Sequence, residues 1–171
     1  LIPDFGQVAF DNVRLNLGPF EQTFGENRQF FTEGTELFDK GGIFFSRRIG
    51  NGPTRGSRLN ANERYIENPQ KVNLLNALKI SGRTKDKLGI GFLNSITEET
   101  RAIIEDTVTN TKREVVVEPL ANYNVFVLDQ QFNGNSSISL VNTNVTRERD
   151  FRDANISAFV FDTADKNNKF G

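Results

Sequence analysis

The stretch Leu74-Leu75-Asn76-Ala77-Leu78-Lys79-Ile80-Ser81-Gly82-Arg83-Thr84-Lys85-Asp86-Lys87-Leu88-Gly89-Ile90-Gly91-Phe92-Leu93-Asn94-Ser95-Ile96-Thr97 decides how the rest of this chain is read. Its even positions Leu74, Leu78, Ile80, Leu88, Ile90, Phe92 and Ile96 are apolar, interrupted by Asn76, Gly82 and Asn94. Its odd positions Lys79, Ser81, Arg83, Gly89, Gly91, Ser95 and Thr97 are polar or small. A period of two is the signature of a strand, and Thr84–Lys87 between the runs reads as a turn. This is a β-hairpin with one apolar face.

Moving outward, a second hairpin is expected at about 120–146, around Phe132-Asn133-Gly134-Asn135, where the only charge is Asp129. Ile138 and Leu140 lie on one face of its return strand, Val141 and Val145 on the other, which suggests a bulge near 140. A further strand is expected at 154–161, with Ala154, Ile156, Ala158 and Val160 opposite Asn155 and Ser157. The turns at 84–87, 133–136 and 162–168 are short. The links at 50–71 and 98–119 are long, and the latter carries nine charged residues. The organisation is therefore a Phe/Gly-rich entry segment, 1–49, followed by a hairpin series, 50–171. In the entry segment Pro and Gly break the runs, so short strands in a compact, partly buried link are expected, with Phe44–Ile49 a strand.

Composition removes several function classes. Cys and His are both absent, which excludes disulfides, thiolate metal sites and the commonest general base. The net charge of −1 offers no electrostatic footprint for nucleic acid. No apolar run approaches the ~20 residues of a transmembrane helix. A low mean hydropathy is compatible with a barrel, because only alternate strand residues face lipid. Strands of about 9–11 residues, with short turns on one rim and long charged loops on the other, are the layout of an outer-membrane barrel. A soluble β-sandwich shares the alternation. The fold class read here is all-β: an antiparallel transmembrane barrel of which this chain is only part. Leu1-Ile2-Pro3-Asp4 reads as an entry partway through a domain, and Lys169-Phe170-Gly171 as the opening of another strand.

Several motifs occur in a family's order. They are Pro3-Asp4-Phe5-Gly6-Gln7-Val8, Asn16-Leu17, Phe24 to Gly34, Phe45-Ser46-Arg47-Arg48-Ile49-Gly50, Leu78 to Thr84, and Val117 to Tyr123. On these the chain resembles the uncharacterised domain that follows a family-9-like carbohydrate-binding domain in many Bacteroidetes proteins. The resemblance spans nearly the whole chain and implies an outer-membrane barrel. One basic residue of the family's usual Pro-Glu-Lys-Arg is missing at Gly25-Glu26-Asn27-Arg28, and the carbohydrate-binding half is not in this sequence.

Glu26, Arg28, Glu33, Arg47 and Arg48 form the sharpest polar set. They read either as a lumen charge network or as a grip on an anionic ligand. Unpaired charge in a desolvated lumen is costly, so mutual pairing is expected, with Glu26 and Glu33 the first partners of the arginines. Leu78, Ile80, Ile90 and Phe92 are expected to face lipid. No catalytic residue, metal or cofactor is assigned. Glu33, Glu36 and Asp39 sit among glycines and read as a loop rather than as acid–base carboxylates. Asp162, Asp165 and Asn167 are turn residues before they are calcium ligands. The functional expectation is a cell-surface barrel protein, not an enzyme, linked to glycan or nutrient binding or transport. Its partners would be outer-membrane lipid, the rest of the barrel, and other outer-membrane proteins or a glycan. The alternatives are a secreted glycan-active hydrolase and a soluble carbohydrate-binding sandwich.

Overall fold

A computed structural model describes residues 26–55, 59–132 and 136–163. They form an all-β antiparallel protein with almost no helix, its strands in two sheets. The larger sheet has the order β2-β3-β6-β7-β8: β2 Leu74–Arg83, β3 Leu88–Thr97, β6 Ala121–Phe132, β7 Ser136–Arg147 and β8 Ala154–Asp162. The smaller has the order β1-β4-β5: β1 Glu63–Glu67, β4 Thr100–Asp106 and β5 Lys112–Glu118. The hairpin at 74–97 forms as the alternation requires, with Leu78 opposite Asn94 and Ile80 opposite Phe92. Its turn closes through Thr84 N–H to the Leu88 carbonyl at 2.8 Å, with Lys87 at φ 63°.

The charged link at 98–119 is not a loop. β3 ends at Thr97, paired with Ala121, and β4 begins at Thr100, paired with Glu118, so two long strands run from one sheet into the other. Pro119 stands at the break in the second of them, where a missing N–H interrupts the ladder. The tip is an Asx turn in which Asp106 Oδ1 accepts from Val108 and Thr109 N–H at 2.8 and 3.0 Å. Likewise the link at 50–71 contains β1, which pairs with β4.

Three other expectations are corrected. β7 pairs with β6 from Ser136 to Arg147 in unbroken register, so no bulge lies near 140. Leu140 and Val141 are apolar on opposite faces because both faces at that level are apolar. Second, residues 26–49 contain no strand. Gln29–Thr32 is one helical turn, and Ser46–Arg48 is a 3₁₀ turn where a strand was expected. Its carbonyls are claimed by a side chain instead of a ladder, since Arg28 donates to the Ser46 and Ile49 oxygens at 2.9 and 2.6 Å. Third, Leu74 does not share the outward face of Leu78. The register shifts between Leu74 and Asn76, and Leu74 packs on the core.

Among the described residues the core lies on one face of the large sheet. Phe31, Leu37, Phe38 and Ile49 pack on Leu93, Val125, Val127 and Val141, the odd-numbered positions of β3, β6 and β7. Glycines permit the approach. A Cβ at Gly91 would stand 3.2 Å from the Phe38 ring, and one at Gly89 2.8 Å from Leu37 Cδ2. The sheet is open among the described residues, with β2 and β8 each having one neighbour. A closed barrel is therefore not what these residues form by themselves.

Candidate functional site

The polar features of the inner face are built where the segment 26–55 meets the sheet. Glu26 and Arg28 come together as expected: Arg28 Nη2 lies 2.8 Å from Glu26 Oε2, and Arg28 Nε donates to Oε1 at 2.9 Å. Ser46 Oγ donates to Glu26 at 2.7 Å, and the buried guanidinium lies 4.3 Å over the Phe31 ring. Burial acts to raise the Glu26 carboxyl. The hydrogen bonds from Arg28 and Ser46 outweigh it and hold the group at about 2, below the ordinary 4.5. The node is saturated, with each guanidinium nitrogen turned to a protein oxygen. It closes the 26–49 segment on itself rather than presenting charge to a ligand.

The remaining members of the predicted set are not in this node's salt bridge. The Glu33 carboxylate accepts from Gln29 at 2.6 Å, while its backbone carbonyl and that of Phe30 accept from the Lys79 ammonium. Arg47 and Arg48 sit on the 3₁₀ turn, Arg48 at 6.0 Å from the Phe45 ring. Glu26, Ser46, Asp39 and Lys79 line a cavity of about 200 Å³ with Phe31, Phe38, Phe44 and Phe45. Of the three carboxylates considered for acid–base work, Glu33 accepts from Gln29, Glu36 turns to Arg83 at 3.9 Å, and Asp39 lines the cavity. Asp162 lies 3.4 Å from Lys40; Asp165 and Asn167 lie outside the described residues. No group of acidic residues suited to a metal occurs among the described residues.

A second charged group was missed in the sequence. Asp129 on β6 is wholly buried, with Arg83 Nη2 at 2.8 Å, Lys40 Nζ at 3.5 Å and Ser139 Oγ donating at 2.7 Å. The signal was its isolation as the one charge in 27 residues of otherwise neutral hairpin. What the sequence could not show was that register places Arg83, Gly89, Asp129 and Ser139 in one row across four strands. A third contact, Glu118, accepts from Thr54 N–H and Oγ1 at 2.7 and 2.6 Å and ties the 50–55 loop to the junction of the sheets.

The other face carries the predicted apolar set. Leu78, Ile80 and Ile90 are exposed and Phe92 is half-buried. Phe126, Ile138, Phe159 and Phe161 extend the surface across β6, β7 and β8, with Ile80 59%, Phe159 68% and Phe161 67% exposed. The small sheet does not cover them, because its strands prolong β2, β3 and β6 end to end instead of stacking on them. No described helix is long and apolar enough to cross a membrane, a statement that does not bear on strands.

Among known proteins, one family model matches, over residues 1–171, and its description is a domain of unknown function, DUF5916. No curated protein and no solved structure matches.

Proposed function

The chain belongs to the DUF5916 family, and from that premise we propose that it is a section of the wall of an outer-membrane β-barrel, with residues 26–55 packed against its inner side. One observation carries the reading: the sheet is apolar on the face left uncovered as well as on the face that carries the core. The core face mixes Leu93, Val125, Val127 and Val141 with Lys79, Arg83, Gly89, Gly91, Ser95 and Asp129, while the other face exposes Ile80, Ile90, Phe126, Phe159 and Phe161, with half-buried Phe92, Leu128 and Leu140 among them. Water would penalise that face at roughly 25 cal/mol per Å² of apolar surface; hydrocarbon does not.

In this reading the Arg28 node, the Asp129 cluster and the Lys79 contacts are structural. They fasten the inner segment to the wall and neutralise charge that lipid could not accept. The open edges at β2 and β8 require further strands, because each backbone group left unpaired in a bilayer costs several kcal/mol. We assign this chain a scaffold role. The link with glycan or nutrient handling enters through the resemblance to domains that follow a carbohydrate-binding domain. The test is fractionation of the full-length protein in its native cell. Retention in the outer membrane after salt and alkaline washing, with heat-modifiable migration, supports the barrel. Release by either wash as a monodisperse soluble protein refutes it and returns the β-sandwich module.

A further inference from the structure

The outer face of the large sheet is not uniformly apolar, and the line along which it changes has a slope. Cross-strand register arranges its residues in rows. Next to the row Leu88–Gln130–Ile138–Phe161, apolar but for Gln130, the first row to cross all five strands, Gly82–Ile90–Leu128–Leu140–Phe159, has no polar side chain. The next, Ile80–Phe92–Phe126–Asn142–Ser157, is apolar on β2, β3 and β6 and polar on β7 and β8. The third, Leu78–Asn94–Asn124–Asn144–Asn155, is asparagine on every strand but β2. Beyond it Asn76, Asn122 and Thr146 continue the polar side, with half-buried Ile96 the exception.

The change from apolar to polar therefore climbs two rows between β8 and β2. Two rows are four residues, about 13 Å at ~3.3 Å each, and four inter-strand steps are about 19 Å at ~4.8 Å each. The slope is about 35° to the rows. A plane perpendicular to the axis of an outer-membrane barrel cuts its rows at the strand tilt, which is about 35–45°. A patch that merely received another protein would have no reason to follow that angle.

We propose that this asparagine-lined step is the edge of the bilayer, with its carboxamides facing lipid headgroups and the β1–β4–β5 sheet standing clear of the membrane. The proposal rests on the barrel reading above and adds to it the depth and tilt of the wall. The side-chain chemistry fits an interface. Asn94 Nδ2 donates to Asn122 and Asn124 Oδ1 at 2.7 and 2.8 Å, and Asn142 Nδ2 to Asn155 Oδ1 and Ser157 Oγ at 2.7 and 2.8 Å. Each carboxamide has two donor hydrogens and a two-lone-pair acceptor, so these bonds leave capacity for phosphate and glycerol oxygens. In hydrocarbon that capacity would be wasted at a cost.

The experiment uses depth-sensitive spin labels on the full-length protein in phosphatidylethanolamine/phosphatidylglycerol vesicles. This chain has no cysteine, so a label at one introduced thiol reports one position once any cysteine elsewhere in the protein is replaced. Ile80→Cys and Ser157→Cys occupy opposite ends of one row. The tilt predicts that the first label lies about 11 Å deeper, from the ~19 Å between them and the ~35° slope. Phe92→Cys against Asn142→Cys repeats the comparison across two strands should either variant fail to assemble. Equal depths within a row, with Ile90→Cys and Phe159→Cys still in the oxygen-rich hydrocarbon, overturn the sloped edge and leave the barrel standing. Contact of the Ile90 and Phe159 labels with an aqueous nickel chelate overturns both.

Discussion

Arg83 on β2 reaches across β3 to Asp129 on β6, its Nη2 2.8 Å from a carboxylate that has no exposed surface. The span is possible because the residue between them in the row is Gly89, whose missing side chain leaves the guanidinium room. A Cβ there would lie 3.3 Å from the Arg83 guanidinium carbon.

The two sides of this pair should respond unequally to truncation. Asp129→Ala leaves Arg83 and Lys40, both partly exposed and able to find water, and is expected to cost about 1–3 kcal/mol. The double variant Arg83→Ala/Lys40→Ala strands a wholly buried carboxylate, for which about 3–5 kcal/mol is expected. Urea unfolding of the full protein in detergent checks the order. If the double variant is the milder one, the cluster is not what neutralises Asp129.

Glycines on the two faces should also separate. Gly91→Ala drives a methyl group to 3.2 Å from the rigid, buried Phe38 ring, so a loss of about 1–3 kcal/mol is expected. Gly82→Ala meets nothing within 4 Å on the outer face and should be neutral or slightly stabilising, since alanine loses less backbone entropy in a strand. Thermal midpoints of the two variants, measured side by side, decide the matter.

Charge placed on the outer face should be tolerated on one side of the asparagine line only. On the barrel reading proposed above, Ile90→Arg in the wholly apolar row meets hydrocarbon, where a cation near mid-bilayer costs about 2–4 kcal/mol, and it should reduce the heat-modifiable form recovered from membranes. Asn155→Arg, beyond the line, is expected to assemble close to normally, at about 0–1 kcal/mol. Equal recovery of both would argue that this face meets water or protein.

Acid should loosen the inner segment in a defined window. Glu26 is held at about 2, against an ordinary 4.5, by Arg28 and Ser46 prevailing over its burial. A depressed carboxyl contributes stability that is complete above about 4.5 and is lost as the pH falls through about 2, up to about 3 kcal/mol. Proteolysis within 26–55 should therefore quicken between pH 4.5 and 2, read with an acid-tolerant protease. Glu26→Gln should remove that pH dependence and cleave faster throughout. Glu63 is also lowered to about 2, by hydrogen bonds from Arg113 and the Asn60 N–H, but it lies on the small sheet, so Glu63→Gln should leave the acid dependence of cleavage within 26–55 unchanged.

The sequence by itself determined which runs are strands in the large sheet and, Leu74 and the expected bulge near 140 apart, which residues share a face within each. Side-chain parity is a local property, and the 74–97 hairpin has both runs and turn within a single window. It also showed Asp129 as the one charge of the 120–146 hairpin, without a role for it, and paired Glu26 with Arg28, two residues apart. Other features depended on partners distant in the chain, and these only the tertiary structure decided. Phe44–Ile49 reads as a strand, but Ser46–Arg48 within it is a 3₁₀ turn, and Arg28 occupies the Ser46 and Ile49 carbonyls that a neighbouring strand would need. The charged run 98–119 is polar enough to be a loop, yet it pairs with itself and with β1 in a second sheet that continues the first. Above all, alternation says that two faces differ without saying which one is covered. The segment 26–49 covers the face of Leu93, Val125, Val127 and Val141, where Gly89 and Gly91 let Leu37 and Phe38 approach the backbone, and the face of Ile80, Ile90 and Phe159 is left outward.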